Sequence, residues 1–336
     1  MLKPLLALLL STALALPAHA LDLAREEVRG FIDEMVRDHG FERPEVEALL
    51  READIKQPIL DAISRPAERV VPWYEYRERF LTPTRIQQGM DFLAEHRDRL
   101  ARIRDENMVT AILGILGVET AYGRITGRYR VLDALATLAF DYPPRSPFFR
   151  SELREFLILA REESVDPLTA LGSYAGAMGA PQFISSSYRR YAVDADGDGR
   201  RDLWANWDDV IDSVANYLHM HGWRDGEQVV VPATLADENL DRFDLSKIEL
   251  NETVRSLRAK GVLFQTDLPP EAPAMLIVGE GKSRPQYRVG FNNFHTITRY
   301  NRSALYAMAV NDLGAAVHHA ANPQAAVPHL MKDERR

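Results

Sequence analysis

The stretch that most constrains this chain is MVTAILGILGVETAYG, from Met108 to Gly123. Its first ten residues are nearly all apolar, which predicts a helix buried on every side rather than an amphipathic surface helix. Such a helix needs other elements packed around it. With 46% hydrophobic residues the chain has enough apolar material to bury a substantial core. An ionisable residue, Glu119, sits near the C-terminal end of this helix. Burial and the negative end of the helix dipole both favour its protonated form. A carboxylic acid still protonated near neutral pH can deliver a proton to a substrate oxygen. The plainer reading has Glu119 pairing with Arg124 or capping the turn, and the residue pattern alone weighs the two about equally.

The rest of the chain supplies mostly helices. From Asp22 to Gly40, Val28, Phe31, Ile32 and Met35 recur at helical spacing, with Gly40 as a C-terminal stop. Pro44 opens a second helix carrying Val46, Leu49 and Leu50. Thr82-Pro83 caps a third, with Ile86, Met90, Leu93 and Leu100 on one face. Further helices are predicted over 151–163, 207–221 and 297–319. Between Gly226 and Val289 the pattern changes: residues 229–231, 275–278 and 286–289 are short, β-prone runs bounded by Gly and Pro, with one helix near 250–260.

Three further segments carry chemistry. In DADGDGRRDLW, Asp194, Asp196 and Asp198 alternate and Gly199 follows, which matches the opening half of an EF-hand-like calcium loop with the Arg200 carbonyl at position seven. Position twelve is Ala205 instead of Glu, and the next acids are Asp208 and Asp209. The alternative is an acidic turn without a cation, and the spaced aspartates favour the cation. The segment from Gly172 to Tyr188, GSYAGAMGAPQFISSSY, is rich in small residues that admit either a ligand or a close-packed helix. Ser173 and Gln182 are its candidate sugar-binding groups, and Ser185 to Ser187 are expected to cap a helix. In NNFHTITRYNRSALYAMAV, Tyr300, Asn301 and Tyr306 combine aromatic faces with an amide, which suits carbohydrate; core packing is the competing reading.

These blocks, in this order, resemble the lytic murein transglycosylase B family. The likeness rests on ILGVETAYGR, LDALATLAFDYP, GSYAGAMGAPQF, SSYRRYAVDADGDGRRDLW, SVANYLHMHGW and NFHTITRYNRSALYAMAV, with WYEYRERFLTPTRIQQG upstream, and runs from Pro72 to Leu313. The resemblance implies a mainly α fold: a lysozyme-like helical core over 86–225 and 290–320, a helical N-terminal domain over 21–85 and a small β-containing domain over 226–289. It implies cleavage of the β-1,4 bond between N-acetylmuramic acid and N-acetylglucosamine in peptidoglycan, without water, leaving 1,6-anhydro ends. Glu119 falls on the family's catalytic glutamate. Asp194, Asp196, Asp198 and the Arg200 carbonyl fall on its calcium loop, within 194–209, and its later carboxylate aligns best with Asp209. Sugar-contacting positions fall on Arg145, Ser173, Gln182, Tyr217, Tyr300, Asn301 and Tyr306. Members often carry two arginines after the Tyr-Pro of the DALATL block, and here Pro144 replaces the first.

Residues 1–20 read as a signal peptide: one Lys, an apolar run too short to span a membrane, then Ala18-His19-Ala20. No cysteine occurs, which excludes disulfides, thiol catalysis and a lipid anchor on a first mature Cys. A formal charge of −8 disfavours nucleic acid and anionic membranes as partners. The expectation is a soluble periplasmic monomer acting on glycan strands, with structural Ca²⁺ as its only cofactor and cell-wall synthesis or division proteins as candidate partners. Residues 321–336 form a tail. Two other functions stay open: a hydrolytic muramidase taking a second carboxylate from Asp133, Asp141, Glu162 or Glu163, and a non-catalytic peptidoglycan-binding protein.

Overall fold

The computed structural model describes residues 19–64, 71–237 and 239–322. The first eighteen residues of the expected signal peptide, and residues 323–336 of the expected tail, lie outside that set. Among the described residues no helix is long and apolar enough to cross a membrane.

The chain is mainly helical. Strand β1 (His19–Ala20) pairs with β2 (Asp54–Ile55), and between them lie α1 (Glu26–His39) and α2 (Arg43–Arg51). Gly40 ends α1 in the left-handed region, as its sequence position predicts. Next come α3 (Gln57–Ser64), α4 (Trp73–Glu78), α5 (Pro83–Glu95), α6 (Arg97–Leu100) and α7 (Glu106–Thr120). The apolar face expected to run from Ile86 to Leu100 is thus broken at His96, whose φ of −106° and ψ of 24° leave the helical region. Asp105 caps α7 by accepting the Asn107 N–H, and its other oxygen accepts the Trp223 indole N–H.

Strands β3 (Tyr129–Arg130) and β4 (Leu171–Gly172) pair around α8 (Val131–Asp141) and α9 (Ser146–Glu162). Helix α9 starts five residues before the expected Ser151, because Pro147 is tolerated in a first turn. Then follow α10 (Ser185–Tyr191) and α11 (Trp207–Met220). The serine run does not cap α10. Ser185 lies inside its first turn, and Glu152 of α9 accepts the N–H and hydroxyl of Ser186 instead.

The β-prone region forms one antiparallel sheet from β5 (Val230–Leu235), β6 (Glu252–Thr253), β7 (Val262–Leu263), β8 (Pro273–Gly279) and β9 (Gln286–Gly290), in the order β6-β8-β9-β5-β7. Helix α12 (Val254–Ala259) covers one face with a capping box from Thr253 and Ser256. Along β8 the pleat sends Ala274 and Leu276 into a small core with Val254, Leu257 and Val289, and Met275 and Ile277 into the main helical core. A strand covered on both faces has to be apolar throughout, which explains the run MLIV.

The last helical segment is two helices, α13 (Asn292–Tyr300) and α14 (Ala304–Ala321). Asn301 leaves the helix at φ −142°, and the Ser303 side chain caps α14 on the Tyr306 N–H. Helix α14 lies directly on α7. A Cβ added to Gly114 would meet the Val310 carbonyl at 2.0 Å, and one added to Gly314 would meet the Thr110 carbonyl at 2.0 Å. The two helices touch backbone to backbone, a proximity only glycine permits.

Candidate active site

That contact places Glu119, on the last turn of α7, against Tyr306, on the first turns of α14. The Tyr306 hydroxyl donates to Glu119 Oε1 at 2.6 Å. Burial pushes the Glu119 carboxyl up, the Tyr306 bond draws it down, and the carboxyl settles at about 7. Burial and the neighbouring carboxylate raise Tyr306 well above the ordinary phenol value, so it remains a donor. With Oε1 accepting from Tyr306, an acidic proton on Glu119 belongs on Oε2. Arg124, the alternative partner weighed from sequence, donates to the Ala121 carbonyl.

An aromatic row extends from this pair. Tyr300 stacks on Tyr306 with ring centroids 6.5 Å apart and planes 13° from parallel, and Tyr217 packs on Tyr300 at 4.7 Å. Both hydroxyls are engaged by backbone: Tyr300 donates to the Pro181 carbonyl at 2.6 Å and Tyr217 to the Arg299 carbonyl at 2.8 Å. Tyr217 is buried, so its role in this arrangement is to support Tyr300. Asn301 is exposed in the break between α13 and α14.

The small-residue segment folds as a tight loop with bridges from Gly172 to Met178 and from Met178 to Phe183. Ser173 Oγ accepts the N–H groups of Ala175 and Ala177 at 3.3 and 3.0 Å, which leaves its hydroxyl proton to donate outward. Gln182, at a left-handed φ of 54°, donates from Nε2 to the carbonyls of Thr126 and Gly179 at 3.0 Å each, leaving its side-chain oxygen as an acceptor. Arg145 is exposed on the short turn Pro143–Arg145, its guanidinium 4.4 Å from the Phe148 ring centroid.

In the acidic loop, carboxylate oxygens of Asp194, Asp196 and Asp209 come within 4.8 Å of one another. Asp209 is 0% exposed and accepts N–H bonds from Ala195 and Asp202. Burial, with Asp196 and Asp194 nearby, raises its carboxyl above the usual range. Among the described residues, no Lys or Arg is paired with any of the three. A donor set of converging oxygens without a counter-charge fits a hard divalent cation. Asp198 stands outside this trio, its Oδ1 accepting the Arg200 N–H at 2.8 Å. Asp208 is drawn to Arg99 at 3.5 Å.

The model of the transglycosylase SLT domain matches residues 24–315. The chain belongs to the SLT transglycosylase family. It is 43% identical over 298 residues to membrane-bound lytic murein transglycosylase B of Escherichia coli (strain K12), which covers 85% of this chain and 81% of that protein. It is similar to the catenated lytic transglycosylase SltB1 from Pseudomonas aeruginosa, with a TM-score of 0.84 and 49% identity over 88% of this chain and 98% of that one. It is also similar to the Escherichia coli lytic transglycosylase Slt35 in complex with calcium, with a TM-score of 0.80 and 40% identity over 90% of this chain and 96% of that one.

In this SLT transglycosylase the four acids considered as a second catalytic carboxylate are all held by arginines. Asp133 takes two bonds from Arg130, Asp141 pairs with Arg25, Glu162 takes two from Arg189, and Glu163 takes the Arg201 backbone and side chain. Gly114 and Gly314, on which the approach of Glu119 and Tyr306 depends, carry no motif of their own in the sequence. Small residues inside an otherwise bulky apolar helix were the available signal.

Proposed function

We propose that this chain is a lytic murein transglycosylase that cleaves the β-1,4 bond between N-acetylmuramic acid and N-acetylglucosamine with Glu119 alone as acid and base. The observation that carries this reading is a single carboxyl held at about 7 while the other candidate acids are neutralised by arginines. Glu119 delivers its proton to the glycosidic oxygen as the bond to C1 breaks. The resulting carboxylate then takes the proton of the muramic acid C6 hydroxyl, whose oxygen attacks C1 and closes a 1,6-anhydro ring. Water is not consumed, so the carboxylate pair of ordinary glycosidases is unnecessary. A tethered hydroxyl gains an effective concentration that reaches about 10⁵ M or more when well oriented.

The other groups bind and orient. Ser173 donates to the acetamido carbonyl of the substrate, which stabilises charge developing at C1. Gln182 accepts from a sugar hydroxyl or N–H, Tyr300 offers its partly exposed ring to a sugar face, Asn301 and Arg145 contact the strand at the edges, and Tyr217 backs Tyr300. Tyr306, expected as a sugar contact but only 1% exposed, instead holds Glu119 through its hydroxyl. Asp194, Asp196 and Asp209, with Asp198 and the Arg200 carbonyl completing the loop, hold a structural Ca²⁺ that fastens the start of α11. We divide the chain into a signal peptide over 1–20, a helical domain over 21–85, a catalytic core over 86–225 and 290–320, a small β domain over 226–289 and a tail over 321–336. Cleavage after Ala20, which would remove β1 along with the signal peptide, leaves a soluble periplasmic monomer working on peptidoglycan strands alongside cell-wall synthesis or division proteins. Digestion of purified sacculi tests the reaction: anhydro ends weigh one water less than hydrolysed ends. Hydrolysed ends as the main product would replace this reading with a muramidase, and no released product with a binding protein.

A further inference from the structure

The reaction above leaves the chain neighbour of its acid without a part. Thr120 is the last residue of α7 and is 1% exposed. A threonine near a helix end commonly bonds back to the carbonyl four residues earlier. Here that contact, to Leu116, is 3.4 Å, while the bond to the Ala180 carbonyl across the site is 2.8 Å. The same oxygen accepts the Gly123 N–H at 3.0 Å, and the Thr120 carbonyl accepts the Ile125 N–H at 2.9 Å.

These bonds hold an unusual turn. Ala121, Tyr122 and Gly123 follow one another with φ of 52°, 58° and 77°, so two side-chain-bearing residues occupy the left-handed region in succession. Backbone of that kind persists only where its surroundings over-determine it. The partner across the site is itself fixed. Ala180 donates its N–H to the Leu203 carbonyl at 2.9 Å, and the adjoining Pro181 carbonyl receives the Tyr300 hydroxyl. The Asp202 N–H, one residue before Leu203, is held by Asp209. The Thr120 hydroxyl therefore ties the end of the helix that carries Glu119 to the loop that carries Ser173 and Gln182.

We propose that Thr120 is a positioning residue for the reaction: its hydroxyl sets the register between the acid on α7 and the sugar-holding loop over 173–182. This rests on the reading of Glu119 as the acid. A displacement near 1 Å at a reacting group can cost about 100-fold in rate. Thr120→Val keeps the shape and removes the hydroxyl, Thr120→Ala removes it without risk of a clash, and Thr120→Ser restores it. Thr137→Val is the control, since Thr137 is also fully buried and its hydroxyl accepts the Lys56 N–H away from the acid.

The expected result on a soluble glycan oligomer is a kcat lower by about 10- to 100-fold for Thr120→Val and Thr120→Ala with KM nearly unchanged. Thr120→Ser recovers most of that kcat, and Thr137→Val lowers the melting temperature while keeping kcat. A normal kcat in either hydroxyl-free variant overturns the proposal. So does a loss that serine fails to restore, or an equal loss in Thr137→Val. Product mass from the unmodified protein judges the lytic reaction separately, because hydrolysed ends would refute that reading and still leave the kcat ratio to decide on Thr120.

Discussion

Glu119 is a carboxyl held between two opposing influences. Burial raises it from 4.5, and the Tyr306 hydroxyl limits the rise to about 7. A folded value above the unfolded one means that ionisation is penalised only in the fold. The stability tied to this group is complete below about 4.5 and is lost as pH rises through about 7. Glutamine cannot ionise, so Glu119→Gln gains stability over the unmodified protein across that window, by at most about 3 kcal/mol and less where solvent reaches the side chain. The same variant loses turnover by at least about 100-fold, since it cannot relay a proton. Thermal melts at pH 5 and pH 8 and anhydro-product release are the two measurements, and a constant melting difference would contradict the burial argument. Tyr306→Phe removes the one influence that lowers the acid. Its carboxyl then titrates higher, and the alkaline limb of the kcat profile moves to higher pH; an unmoved limb would separate Tyr306 from the acid. Both residues stand out in the sequence, Glu119 as an acid and Tyr306 as a sugar contact, but not as partners. The two residues are 187 positions apart, and no local window shows the bond between them.

The contact between α7 and α14 works at the scale of elements. Gly114 leaves no room for a methyl group against the Val310 carbonyl, so Gly114→Ala forces the helices apart. Overpacking of this kind costs about 3 kcal/mol. Gly30→Ala in α1 meets nothing within 4 Å and is expected to stabilise by about 0.5–1 kcal/mol. Urea denaturation of the two variants checks the contrast, and equal effects would dismiss close packing as the cause. The acidic loop is a second element with its own test. Calcium bound only to the fold stabilises by mass action, about 2.7 kcal/mol at one hundred times its Kd. Calcium should therefore raise the melting temperature of the unmodified protein and leave Asp196→Ala/Asp198→Ala unaffected; a response in both would place the ion elsewhere. The break between α13 and α14 escaped a reading by periodicity because apolar spacing continues across it. Its signals, Asn301 as a stop and Ser303 as a cap, are two polar residues in a helical pattern.

At the scale of the whole molecule, a buried ion pair joins the apolar contacts of Met275 and Ile277 in fastening the five-stranded sheet to the helical core. Arg288 of β9 donates to both oxygens of Asp312 on α14, at 2.6 and 2.8 Å, and both side chains are 6% exposed. Trp73 lies 5.3 Å from the Arg288 guanidinium and donates its indole N–H to Gln286. Removing one partner of such a pair strands the other charge in the interior, at a cost of about 3–5 kcal/mol. Asp312→Ala is expected to lose that much in chemical denaturation, and a loss below about 1 kcal/mol would mean that water reaches Arg288 readily.

The amino-acid sequence alone determined the helical class, the buried helix bearing an acid near its end, the β-prone region between Gly226 and Val289, and the spaced aspartates. Each of these is written in neighbouring residues, as periodicity, turn chemistry or ligand spacing. Only the tertiary structure decided which acid stays protonated, which are silenced by arginines, and which late aspartate joins the acidic loop. Asp208 and Asp209 are adjacent in sequence, yet one faces Arg99 and the other is turned inward beside Asp194 and Asp196. Protonation and charge pairing follow distance through a partly desolvated interior, and that distance exists only once helices far apart in the chain have packed together.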